Sequence, residues 1–302
     1  MARARPLIPM LLAALLLLAA SGMARAGFYD GIVLSDNPIG YWRIGEPAGA
    51  AQALDSTSYN RPLNYTGFAA ADYGRPGAIV SDLDTAVRFT TAKPTISSPN
   101  TTDFAFAAGQ SFSVEYWLRV AAGNASDIDA GIITKGYNTT TQATPWYLSR
   151  YNKSNNGGKG SVDFFLRNSA SVSKSVASTG SVTLNDDEWH HVVGIYDSSM
   201  AELRLYVDAI LQGTVAGVPL DAYGMNSRPL FVGNHYNRAL DGQLDELAIY
   251  GVALDNMDGV GGIDADSRVL AHYVAGQAVV PEPATLGLLA LGGLGLLRRR
   301  RR

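Results

Sequence analysis

Through the middle of the chain, apolar residues recur mostly at every second position. They come in short runs bounded by Gly, Asn, Asp and Ser, which is the pattern of half-buried strands. In Ser111–Val120, Phe112, Val114, Tyr116 and Leu118 alternate with Ser113, Glu115, Trp117 and Arg119, predicting a core strand. His190–Tyr196 and Leu203–Leu211 predict a strand pair, with Asp197–Ala201 as its hairpin loop. Val162–Arg167, Leu230–Gly233, Leu244–Tyr250 and Ala86–Phe89 predict further strands, whereas helical periodicity is confined to Tyr29–Ser35 and Ser267–Ala275. Many short strands with glycine-rich turns predict an all-β fold of two packed antiparallel sheets. No linker-like change of composition divides residues 27–279, which are expected to form one domain.

The two ends follow a different pattern. Residues 1–26 carry Arg3 and Arg5, an apolar run Leu7–Ala20 and an Ala24-Arg25-Ala26 close, which reads as a secretory signal peptide. Residues 280–302 read Pro281-Glu282-Pro283, then Ala284–Leu297 without a charge, then five arginines. Fourteen residues of helix rise about 21 Å, short of the ~30 Å hydrocarbon core, so this is a marginal transmembrane helix. Terminal arginines would hold it on the cytoplasmic side. The triplet, short apolar helix and basic end resemble the PEP-CTERM sorting signal of Gram-negative bacteria. That resemblance implies exosortase-type partners, membrane contact through the C-terminal segment before processing, and export to the cell envelope, cell surface or extracellular matrix.

Setting the ends aside changes the charge picture. The whole 302-residue chain has a formal charge of −3, but without three N-terminal arginines and the five arginines and one glutamate of the tail the body carries −10. So acidic a surface repels phosphate backbones and argues against a nucleic-acid partner. The absence of cysteine excludes disulfides, thiolate metal sites and cysteine nucleophiles.

Several segments of the body resemble the LamG-like jelly roll of the concanavalin A-like lectin/glucanase superfamily. They are VLSDNPIGYWRIGE (Val33–Glu46), Asp55-Ser56, GAIVSDLDTAVRF (Gly77–Phe89), FSVEYWLR (Phe112–Arg119), EWHHVVGIYD (Glu188–Asp197), LRLYVDAIL (Leu203–Leu211), PLFVGN (Pro229–Asn234) and DGQLDELAIYGVAL (Asp241–Leu254). Their order covers most of residues 29–275. Two positions depart from the family: Ala209 stands where glycine usual follows the aspartate, and Thr57–Arg61 replaces a glycine-rich loop. A positive φ at Ala209 is less easily tolerated, so a different turn is expected there.

Candidate chemistry centres on carboxylates and aromatics. Strict alternation puts Asp245 on the face of Leu247 and Ile249, pointing inward, and Glu246 on the opposite face. An inward carboxylate needs a partner. The resemblance implies a structural calcium held by Asp55, Asp245 and main-chain carbonyls; the alternative is that Asp245 binds backbone amides or an arginine. Glycosidase chemistry needs two carboxylates flanking the sugar bond. The glucanase branch sets them as Glu-x-Asp-x-Glu, but here the run is Gln243-Leu244-Asp245-Glu246-Leu247, which argues against catalysis. His190 and His191 point to opposite sides of a strand and cannot chelate one metal together. No Gly-x-Ser-x-Gly elbow or phosphate-binding loop is present. Trp146, Tyr147, Tyr151, His235 and Tyr236, near asparagine-rich segments, are candidate stacking residues for sugar rings.

These readings converge on an exported, non-catalytic binding or structural module recognising glycan or matrix protein. The rival readings are a glycoside hydrolase using other carboxylates and an adhesive matrix protein without a sugar site.

Overall fold

The computed structural model describes residues 28–136, 145–151, 160–178, 182–235, 237–260, 263–264 and 267–279. They form a β-sandwich of two eight-stranded antiparallel sheets and one small ribbon. Across the first sheet the strands run Ile210–Ala216, Glu202–Val207, Trp189–Asp197, Phe112–Arg119, Gly242–Tyr250, Thr85–Phe89 and Arg75–Pro76, while Gly40–Trp42 also pairs with Gly242–Tyr250. Across the second they run Ser173–Ala177, Val162–Arg167, Trp146–Tyr151, Ala130–Lys135, Leu230–Val232, Thr95–Ser97, Leu63–Thr66 and Gln52–Ala53.

The alternation read in Phe112–Arg119 sorts its side chains as expected. Phe112, Val114, Tyr116 and Leu118 enter the core between the sheets, meeting Tyr147, Phe164 and Leu166 of the second sheet. Trp117 turns outward, yet it is also buried. Two helices cover it: α1 (Tyr29–Ser35) and α2 (Arg268–Gln277). Tyr29 and Val33 of α1 and Val269, His272, Ala275 and Gly276 of α2 lie at three- and four-residue spacing, so each helix buries one stripe. Helix α1 stops where Asn37 takes a positive φ of 51° ahead of Pro38, a common ending for a helix. Gly276 permits the close approach of α2, because a Cβ there would lie 2.4 Å from the Trp117 ring.

The span Leu203–Leu211 is two strands rather than one. Asp208 and Ala209 both adopt positive φ, 51° and 60°, and make a two-residue hairpin turn between Glu202–Val207 and Ile210–Ala216. The turn expected to change at Ala209 is therefore kept, with alanine in the left-handed region at a cost of roughly 1–2 kcal/mol. Asp208 anchors it by accepting from the His191 amide at 2.9 Å and by contact with His190 Nδ1 at 2.8 Å.

A second local irregularity changes the chemistry of the first sheet. Between Asp245 and Ala248 the strand Gly242–Tyr250 slips against Phe112–Arg119, with Glu246 at φ 50°. Such a bulge inserts extra residues and resets which side chains share a face.

Candidate functional site

The outer face of the first sheet carries two polar regions side by side, one sealed and one open. In the sealed region Glu115, fully buried, accepts hydrogen bonds from Tyr29 Oη at 3.2 Å and Tyr250 Oη at 2.6 Å. It also meets His191 Nε2 at 2.6 Å and His272 Nδ1 at 3.0 Å. The other nitrogen of His272 meets Asp36 at 2.8 Å, and Asp36 in turn accepts from Arg268 Nε at 2.6 Å. Carboxylates only accept, so a histidine between two of them donates from both nitrogens and is an imidazolium. Burial alone would lower its pKa, but the charge of Glu115 and the bonds to Asp36 and Glu115 raise it to about 9. Burial likewise works to raise the Glu115 carboxyl, and His272 and His191 outweigh it, holding it well below the usual carboxylate range. A neighbouring knot closes residues 251–257 onto the same face: buried Arg204 pairs bidentately with Asp255 at 2.7 and 2.8 Å and with Asp197 at 2.7 Å.

Asp245 and Glu246 belong to this sealed region, contrary to strict alternation. Asp245 is in register with Trp117 and so points outward rather than into the core with Leu247 and Ile249. The bulge brings Glu246 to the same outer side, where it accepts from Tyr41 Oη and from Arg43 Nε. Asp245 accepts from the backbone amides of Ala78 at 2.7 Å and Glu246 at 3.1 Å. Burial raises the pKa of both carboxyls, strongly so for Asp245. The two acids share a face, but neither reaches solvent.

The open region begins one step farther along the strands. Gln243 is in register with Arg119 on one neighbouring strand and with Arg88 on the other, so the three side chains form an outward row. Together with Arg75, Asn124, Asp187, Asp241 and the loop 121–123 they line a cleft of about 530 Å³, within the size range of ligand pockets. Arg119 Nε meets Asp187 at 3.1 Å and Arg88 meets Asp241 at 3.3 Å. Arg75 makes no ion pair among the described residues, and its buried Nε and the buried Gln243 Oε1 have no hydrogen-bond partner. No aromatic side chain among the described residues lines the cleft.

The sequence-predicted site residues do not gather there. Tyr147 and Tyr151 are corrected from stacking faces to core residues: strand parity turns both inward, fully buried, with Tyr147 donating to Phe104 O and Tyr151 bonded to Asn124. Trp146 lies on the outer face of the second sheet, 5 % exposed, its ring stacked on Phe165 at 4.7 Å. His235 lies in the small ribbon 234–239, but its side chain and Tyr236 fall outside the described residues, as do Pro281, Glu282 and Pro283. The two residues of the expected calcium pair already have hydrogen-bond partners. Asp55 already accepts from Tyr41 N, Thr57 N, Thr57 Oγ1 and Arg61 N, which fills its oxygens and closes the loop that replaces the family's glycines. Asp245 takes the alternative expected for it, backbone amides. Among the described residues no three His, Asp or Glu side chains gather as a metal site.

Comparison with known proteins places this arrangement. Residues 91–258, more than half of the chain, match the concanavalin A-like lectin/glucanases superfamily, and residues 279–302 match the PEP-CTERM protein-sorting motif. That motif marks the chain for export and sorting to the cell envelope. No helix among the described residues is long and apolar enough to cross a membrane, and Ala284–Leu297 lie outside them. No curated protein matches the sequence. Among solved structures, the chain is similar to the binding domain of Paraclostridial Mosquitocidal Protein 1 (15 % identity, TM-score 0.51, 75 % of this chain and 51 % of that one). It is also similar to the binding domain of botulinum neurotoxin serotype G (12 %, 0.52, 78 % and 50 %). A third is domain 4 of AbnA, a GH43 extracellular arabinanase from Geobacillus stearothermophilus, in complex with arabinotriose (15 %, 0.53, 78 % and 98 %). The chain thus spans about half the length of the toxin binding domains, and at these identities the likeness is one of fold. With a two-sheet sandwich and a family match over more than half its length, the chain belongs to the concanavalin A-like lectin/glucanases superfamily.

Proposed function

We propose that this protein is an exported, non-catalytic recognition module that binds glycan or matrix protein at the cell surface or in the extracellular matrix, after sorting by exosortase-type machinery. The observation that carries the reading is the contrast on the outer face of the first sheet. Asp245 and Glu246, the acids nearest the glucanase branch's motif, are buried, Asp245 against the Ala78 amide and Glu246 against Tyr41 and Arg43. The open cleft beside them presents arginines and amides instead. Its carboxylates, Asp187 and Asp241, lie beside Arg119 and Arg88 as ion pairs. Export and sorting by the C-terminal motif and binding-domain relatives of the same fold support the reading. The purified full chain, incubated with a panel of polysaccharides and extracellular matrix extracts, is expected to retain a ligand and to release no reducing sugar. Steady release of reducing ends, or no retention of any of these materials, would overturn it.

A further inference from the structure

The arginine cleft has a chemistry that narrows the ligand. Two of its lining residues each carry a buried side-chain atom without a hydrogen-bond partner: a cationic donor, Arg75 Nε, and a neutral acceptor, Gln243 Oε1. Buried polar atoms of either kind are costly to leave unpaired. An occupant toward which these side chains turn completes them if it brings an anionic acceptor for the first and a hydroxyl or amide donor for the second. Arg119 and Arg88 flank Gln243 one strand away on either side, so the cationic row runs about 10 Å across three strands. Arg119 is tied through its Nε to Asp187, and Arg88 is held by a 3.3 Å contact to Asp241. These weak pairs can re-aim toward a ligand at little cost. The planar guanidinium fork matches a carboxylate with two parallel hydrogen bonds.

We infer that the cleft binds a carboxylate-bearing saccharide, a uronic acid unit of an acidic polysaccharide, through Arg75, Arg88 and Arg119, with Gln243 accepting from a sugar hydroxyl. Uronates supply both missing partners in one ring, the anion and the hydroxyl donors. Neutral sugars leave Arg75 without a counter-ion, and among the described residues the cleft has no aromatic face to hold them by stacking. The polyanion is drawn to an arginine row on a body that is otherwise acidic, so binding is local and salt-sensitive rather than spread over the surface. This inference rests on the recognition reading and specifies its ligand.

The test is isothermal titration of the purified full chain with oligogalacturonate, oligoalginate and hyaluronan oligosaccharides. The same oligogalacturonate after methyl esterification removes the charge and keeps the backbone, and inorganic phosphate provides a bare anion. At least one uronate series is expected to bind, with affinity falling at least tenfold on esterification and falling again as salt is raised. Arg75→Gln is expected to lower uronate affinity at least tenfold and to leave the melting temperature unchanged, because the Arg75 side chain makes no ion pair among the described residues and its Nε has no hydrogen-bond partner there. Arg75→Lys keeps charge without the fork and should recover only part of the loss. Equal affinity for acid and ester, phosphate binding as tightly as the oligosaccharides, or undiminished affinity in folded Arg75→Gln would each overturn the inference. Retention of neutral glycan or matrix protein alone would sink the uronate assignment and leave the recognition reading standing; retention of nothing would sink both.

Discussion

Two neighbouring patches of one sheet face separate architecture from recognition. Around Trp117 the charged groups are covered by α1 and α2 and joined in a network of Glu115, His191, His272, Asp36, Arg268, Tyr29 and Tyr250, with buried Asp245 beside them. Two residues along the same strands, at Arg119 and Gln243, the cover ends and the polar atoms are incompletely partnered. The residue types are alike. What differs is the cover: on the sealed side even His191 Nδ1, which lacks a partner among the described residues, lies in the packed interior, whereas Arg75 and Gln243 border an open cleft.

The largest expected effect breaks the sealed side. Glu115→Ala leaves His272, His191 and two tyrosine hydroxyls around an empty site and is expected to cost about 3–5 kcal/mol in urea unfolding. A smaller effect is read by pH. His272 has its pKa raised from 6.5 to about 9 in the fold, so its stabilisation is complete below pH about 6.5 and lost as pH rises through about 9. Glu115, lowered in the fold, contributes with the opposite sign: its share holds above its ordinary 4.5 and falls away in acid. The melting temperature is expected to fall between neutrality and pH about 9, and His272→Gln should flatten that slope. Ala209→Gly relieves a left-handed alanine in the turn that Asp208 ties to His191, and should stabilise by about 1 kcal/mol without altering the cleft. On the open side, Arg119→Ala breaks only an exposed pair with Asp187 and is expected to cost less than about 1 kcal/mol by the same unfolding assay. Smallest of all, a chelator should leave the melting temperature unchanged, since the oxygens of Asp55 are already taken by amide and hydroxyl donors.

Much of the fold is legible in the sequence, because alternation in Phe112–Arg119 and periodicity in Tyr29–Ser35 are local signals. The face assignment of Asp245 fails for a physical reason, while that of Glu246 holds: one positive φ at Glu246 breaks the period of two, and no residue type there announces it. Tyr147 and Tyr151 mislead because tyrosine serves core and surface alike, its hydroxyl needing only one partner. The sealed network was missed because Glu115 and His272 are 157 positions apart and meet only when α2 docks. Glu115 did carry a faint signal, a lone acid amid a strand of large side chains. The cleft row was missed for a related reason: Arg88, Arg119 and Gln243 become neighbours only through strand register.

Phe28 and Ala275 line the same small pocket, and the Val80 amide is bonded to Gly276 O, so both described ends of the polypeptide leave the sandwich at one pole. Tension applied through the segment after Val279 therefore loads α2 and its clasp, Arg268 on Asp36 and His272 on Glu115, before it reaches any sheet hydrogen bond. A pull on that segment therefore meets the helix pair first, and the arginine face lies on strands beyond it.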